Sequence, residues 1–142
     1  MLKREIKFED FDGNQTSEIF YFNISKPELI ELEVEYDQGF GKLLERIVES
    51  KNNKDLIAMF KRIVLMAYGQ KSEDGKRFIK SDKMREEFVQ TAAYNELFME
   101  LATDDNSAAT FLKAILPKDL VGDIDKAILT NTEDLSQTPT LS

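Results

Sequence analysis

The chain contains no cysteine and no histidine among its 142 residues. Without cysteine there is no disulfide framework, no thiolate nucleophile and no zinc ribbon. Without histidine there is no Ser-His triad, no HExxH zinc site and no ordinary transition-metal site. The two absences together remove most routes to catalysis near neutral pH, where histidine is the usual proton carrier. Long apolar runs are also missing: the best, Leu56 to Tyr68, is interrupted by Lys61 and Arg62 and is too short to span a bilayer. Charge interrupts the first eight residues, unlike a secretory signal. Basic residues are outnumbered, 19 against 27 acidic ones, for a net charge of −8. That balance opposes a general grip on nucleic-acid phosphates or an anionic membrane surface. These features fit a soluble cytosolic protein.

Enough apolar material remains for a packed core. Hydrophobic residues make up 42% of the chain and aromatics 10%, so a fully disordered polypeptide is excluded. Leu2, Arg4, Ile6 and Phe8 share one face of a strand, with Lys3, Glu5 and Lys7 on the other. Thr16 to Asn23 is again β-rich, and Asp12-Gly13 between the two is a tight-turn signal. Residues 1–23 therefore read as an antiparallel hairpin, which must pack on helices or join another sheet to be stable.

Helical signals fill the rest. Ser25 and Glu28 have capping-box spacing, with Pro27 in the first turn and Leu29, Ile30, Leu32, Val34 and Tyr36 following up to Gly39. Phe40, Leu43, Leu44, Ile47 and Val48 form one helical stripe, and Asn52 or Asn53 can cap the next helix. That helix is the most apolar element: Leu56, Ile57, Phe60, Ile63, Val64, Ala67 and Tyr68 make a stripe that Met59, Leu65 and Met66 widen. Gly69 reads as its left-handed terminus. Gln70 to Lys80 is a polar connection with a turn at Asp74-Gly75 and a short extended anchor at Phe78-Ile79. Ser81 can cap a further helix that Thr91 restarts, Thr103-Asp104-Asp105-Asn106 is a loop and cap cluster before a short helix stopped by Pro117, and Leu120 to Ile128 suggests a last one. The fold class is thus α+β: an N-terminal antiparallel β-hairpin followed by a compact bundle of about five or six helices. Residues 1–129 form a single domain (hairpin 1–23, helical part 25–129), and residues 130–142 a disordered, acidic, Ser/Thr-rich tail.

Chemical motifs are weak when tested against plainer accounts. Placing Gly13 at the glycine position of a twelve-residue calcium loop puts Phe8 first and Ile19 last, and neither can be a ligand. Gly75 aligned the same way gives Gln70 and Ser81, so turn chemistry is the better account of both glycines. Glu73-Asp74, Glu86-Glu87 and Asp104-Asp105 are adjacent pairs on a turn or helices and need no role beyond solvated charge. There is no Ser-x-x-Lys, no Gly-x-Ser-x-Gly and no phosphate-binding glycine loop, and Gly39-Phe40-Gly41 reads as a hinge. Lys76-Arg77-Phe78 is a small basic-aromatic cluster flanked by acids. What remains is apolar helical surface. Methionines suit grooves that accept varied apolar partners, although core filling serves them equally well. No metal or other cofactor is expected.

Several short blocks resemble one family. Lys3-Arg4-Glu5-Ile6, Phe11-Asp12-Gly13, Phe20-Tyr21-Phe22-Asn23 and Glu28 to Glu33 are similar to tail assembly chaperones of long-tailed, siphovirus-type bacteriophages. So are Tyr68-Gly69, Lys71 to Phe78 and Glu96 to Thr103, so that the likeness runs over roughly residues 1–120 with no counterpart for the tail. The resemblance implies a non-enzymatic protein of the host cytoplasm, commonly absent from the finished virion. It implies binding to the tape measure protein, a long and largely helical chain that sets tail length, and recruitment of tail tube subunits around it. It also implies that a longer, frameshifted form is often made. No catalytic residues come with it. Met59, Ile63, Leu65 and Met66 are the candidate contacts for that partner or for self-association. The alternatives are a structural virion component, such as a tail tube or head–tail completion protein, and an acidic inhibitor that mimics DNA.

Overall fold

The computed structural model describes residues 1–35, 42 and 54–117. Strands β1 (Leu2–Glu9) and β2 (Gln15–Phe22) pair antiparallel along their whole length, from Leu2 opposite Phe22 to Glu9 opposite Gln15. The connection is closed by Asp10. Its Oδ1 accepts from the backbone N–H of Asp12 (2.9 Å) and Asn14 (2.8 Å), while its own N–H donates to Asn14 O (2.9 Å). Those donors favour the carboxylate and hold its pKa below the ordinary value, led by the bond from Asn14. Gly13 has φ +85°, a conformation that a side chain would strain.

Helix α1 (Lys26–Glu35) begins with the capping box that its sequence spells. Ser25 N–H donates to Glu28 Oε1 (3.0 Å), and Glu28 N–H donates to Ser25 Oγ (3.3 Å). Glu28 does a second job. Its carboxylate takes two bonds from Lys80 Nζ, at 2.7 and 2.9 Å, and the same ammonium donates to Asn23 O (2.7 Å) and lies over the Phe78 ring. Burial opposes charge on both partners. For Glu28 the bonds from Lys80 and Ser25 outweigh burial and lower its pKa; for Lys80 desolvation outweighs Glu28 and lowers it too. The clamp joins the start of α1 to the end of the β-sheet, fifty-two residues away in sequence.

Helix α2 (Lys54–Ala67) runs directly into strand β3 (Tyr68–Lys71), which pairs with β2 through Tyr68 opposite Phe22 and Gly69 opposite Tyr21. Strand β4 (Phe78–Ile79) returns on β3, giving one sheet in the order β1-β2-β3-β4. Two readings of the sequence are corrected here. Gly69 does not end a helix in the left-handed region: it lies inside a strand, where an added Cβ would come within 2.6 Å of the Phe78 ring and 2.8 Å of Ile79 O. Tyr68 belongs to that strand and not to the helix; the strand runs on through Gln70 and Lys71, while Phe78-Ile79 is extended as expected. The helical period of α2 carries on past Ala67, but the open edge of β2 offers backbone partners that a further helical turn would forfeit. The Asp74-Gly75 turn is as expected, with φ +72° at Gly75 and the Asp74 carboxylate accepting from Ser72 Oγ (2.6 Å) and Lys76 N–H (3.0 Å).

The remaining helices are α3 (Asp82–Val89), α4 (Ala92–Thr103) and α5 (Asp105–Ile115). Their caps are the residues that the sequence designates: Ser81 Oγ accepts from Met84 N–H, Thr91 Oγ1 from Tyr94 N–H, and Asp104 from the N–H groups of Asn106 and Ser107. Five helices are therefore present among the described residues. The expected stripe over residues 40–48, the caps at residues 52 and 53, the helix end between residues 36 and 39, the last helix over residues 120–128 and the tail all lie outside them.

One core joins the inner face of the sheet to the helices. Phe22 is fully buried at its centre, with ring centroids 5.2 Å from Phe111 of α5, 5.9 Å from Tyr68 of β3 and 5.9 Å from Phe88 of α3. Tyr68 and Phe88 stack at 4.1 Å. Phe22→Ala is expected to lose about 3–5 kcal/mol in denaturant unfolding, a large share of a typical domain's stability. Glu28→Gln is expected to cost about 1 kcal/mol at neutral pH, because an exposed flank screens part of the clamp. Since Glu28's folded pKa is depressed, its contribution is present above the ordinary carboxylate value and lost as pH falls through the folded one. Thermal melts across acidic pH should thus show the gap between variant and wild type closing.

Candidate partner-binding groove

Helix α2 sorts its apolar residues into two sets. Phe60, Ile63, Val64 and Ala67 face the core and are buried. Met59 and Met66, seven positions apart, stand together beside that stripe and are half-buried. Leu65 and Ala58 lie further round the helix, Leu65 partly open and Ala58 exposed. Of the four candidates drawn from the sequence, Ile63 has no exposed surface and serves the interior of the domain. Met59, Leu65 and Met66 remain reachable. The side chain of Leu56 lies outside the described residues.

Leu65 and Met66 line an open groove of about 470 Å³ together with Ala58, Lys61, Arg62 and Arg85. Arg85 comes from α3 and is the residue that the sequence reading missed. Its Nε donates to Leu65 O (3.0 Å), one of the carbonyls left over in the last turn of α2, and its Nη1 donates to Asp82 Oδ1 (3.1 Å). No spacing in the sequence could have linked Arg85 to α2, since the two helices are joined through the β3–β4 turn. Lys61 and Arg62 were visible only as interruptions of an apolar run. Assembled, the groove has an apolar floor and three cations on a chain of net charge −8.

A second groove, about 300 Å³, lies under the hairpin tip and is floored by Phe8, Phe20 and Ala93 beside Phe11, which is 80% exposed. Its charged members are Asp10, Glu18 and Glu87, so it repeats the sign of the whole chain. Ile30 and Val34 add an exposed pair one turn apart on α1. Among the described residues no group of three or more His, Cys, Asp or Glu could hold a metal, and no helix is long and apolar enough to cross a membrane.

The family model described as phage tail assembly chaperone matches residues 1–141. The chain belongs to that family. No curated protein and no solved structure matches it significantly. The match extends past residue 120, where the recognisable blocks end, and takes in residues 130–141, for which the sequence offered no counterpart. A tail assembly chaperone works through its surface, so the cation-rimmed groove on α2 is the feature of this one that calls for a role. Arg85 fixes that groove's shape. Arg85→Met, which keeps the stem but not the donors, is expected to lower Tm by about 3–5 °C through the lost bond to the end of α2. Arg85→Lys should recover only part of this, because an ammonium cannot make the two bonds in the same fork geometry. Calorimetric melts of the two variants check it.

Proposed function

We propose that this tail assembly chaperone binds the tape measure protein in the host cytoplasm, keeps it soluble and promotes assembly of the tail tube around it, without catalysing any covalent step. The observation that carries this reading is the α2 groove: a small apolar floor with cations around it on an otherwise acidic protein. Its complement is an amphipathic helix with an apolar stripe and acidic flanks. A long helical chain bearing such stripes aggregates when they are bare. Covering them with a carrier of net charge −8 leaves like-charged complexes that repel one another.

The magnitudes say how the carrier must work. Two or three apolar side chains seated in one groove contribute about 3–9 kcal/mol. Exposed ion pairs at the rim add less than about 1 kcal/mol each. Association itself costs about 4–15 kcal/mol. One groove therefore holds one stripe weakly, and effective shielding needs several copies along the same long chain.

Co-expression with the tape measure protein tests the reading. Met66→Lys puts a charge on the apolar floor, while Lys61→Glu reverses a rim charge at an exposed position. Each variant is expected to keep its own fold by circular dichroism and to reduce soluble tape measure protein by about tenfold. Wild-type yields of soluble tape measure protein from both would reject the groove. Mass spectrometry of purified virions supplies a second check: a structural virion component would persist there, and a chaperone of this kind should be depleted.

A further inference from the structure

We infer that the free edge of β1 is a self-recognition surface, through which two copies of this chain join their sheets in a single antiparallel register. Strand β1 is the edge strand of the sheet, and among the described residues no strand pairs with its other side. It is eight residues long, contains no proline and runs against β2 without a bulge. An open groove of about 320 Å³, lined by Arg4 to Lys7 and by Glu96, Leu97 and Glu100, runs between β1 and α4. On that side Arg4 is paired with Glu100.

The ladder fixes which residues face outward. Asp10 and Asn14 continue the β1–β2 register, and the Asp10 N–H bonds to Asn14 O. Bonding partners recur at every second residue of an antiparallel ladder, so the even-numbered residues of β1 turn their backbone groups toward β2. Asn23 on the other strand confirms the parity, since it donates the opposite way, to Ala67 O. The unpaired backbone groups at the free edge therefore belong to Lys3, Glu5, Lys7 and Glu9. Their side chains stand on the solvent face in strict alternation of sign and are all exposed.

Among the long registers that alternation is self-complementary in one only. When Ile6 of each copy crosses at a two-fold axis, Lys3 lies opposite Glu9 of the second copy and Glu5 opposite Lys7 of the second copy, and each pair occurs twice by symmetry. Backbone parity permits slips of two residues. A slip one way sets Glu5 against Glu5 and Lys3 against Lys7. The other way sets Lys7 against Lys7 and Glu5 against Glu9. Like charges directly opposite destabilise a ladder, and opposite ones stabilise it. Charged side chains usually guard an edge against any pairing. Here they guard it against every long register except the one that matches a second copy. The pairing also brings α2 grooves together in one assembly, as the multivalent use of the groove requires, but it does not depend on what those grooves bind.

Sedimentation equilibrium of the purified full chain at low salt tests the inference without any partner. The wild type is expected to dimerise, more weakly as salt is added. Lys7→Glu faces exposed solvent in the monomer and should raise the dimer Kd by about tenfold or more. Glu5→Lys, which gives up a bond from Ser17 Oγ, should do the same. The decisive sample is an equimolar mixture of the two variants. Positions 5 and 7 are then both acidic on one chain and both basic on the other, so every cross-strand pair between unlike chains is again one of opposite charge. The mixture should form a heterodimer of wild-type affinity. If Glu5→Lys fails to fold, Lys3→Glu mixed with Glu9→Lys makes the same exchange at the outer positions. A wild type that stays monomeric at every concentration, a Lys7→Glu dimer as tight as wild type, or a mixture with no recovery would each overturn the inference.

Discussion

Burial of the Phe22 ring holds the molecule together. Phe22 ends the hairpin, and its side chain meets β3, α3 and α5 at once through Tyr68, Phe88 and Phe111. A two-stranded hairpin cannot persist alone in water, and short helices such as α3 are no better off. Each element is stable because it covers the same aromatic cluster. The backbone follows the side chains: Asn23 N–H bonds to Ala67 O and Ile24 N–H to Ile115 O, so the residues just after Phe22 tie the sheet to the ends of α2 and α5. The Glu28–Lys80 clamp then closes the far side of the sheet against α1.

From that constraint the candidate surface follows. Tyr68 is locked between Phe22 and Phe88, which fixes the end of α2 and its rotation about its axis. Phe60, Ile63, Val64 and Ala67 must then point inward, and Ala58, Leu65 and Met66 are left on the outer flanks. Arg85 reaches across from α3 to the last turn of α2 and supplies both a structural bond and a rim charge. The same packing that stabilises the domain therefore leaves an apolar strip with basic neighbours on an acidic protein. On that combination the proposed function rests: an apolar floor for a greasy stripe and a basic rim for acidic flanks.

Much of this was legible in the residues. Caps are local chemistry, so Ser25 and Ser81, the restart at Thr91 and the cap cluster at residues 103–106 could be read directly, as could the turns at Asp12-Gly13 and Asp74-Gly75. Strand alternation showed which face of β1 is buried. The third strand was hidden because β3 is short and continues a helical stripe, whereas Phe78-Ile79 was legible as extended. Only the open edge of β2 decides that Tyr68 and Gly69 are extended. The Gly69 reading failed for a related reason: a glycine after an apolar helix looks like a terminus, and its actual use, letting the Phe78 ring lie flat on the sheet, depends on a residue nine positions later. Met59, Leu65 and Met66, chosen by residue type, stand partly open, whereas Ile63 on the same helix is buried in the core. Arg85 could not be linked to them without knowing how α2 and α3 meet.

The central claim is that the outer flank of α2 covers apolar helical surface of the tape measure protein. Amide hydrogen exchange on the chaperone, free and in complex with that protein, tests it most directly. The account predicts new protection concentrated over residues 57–66 and around Arg85, with the hairpin tip at Phe11 unchanged. Protection at the tip with none on α2 would contradict it.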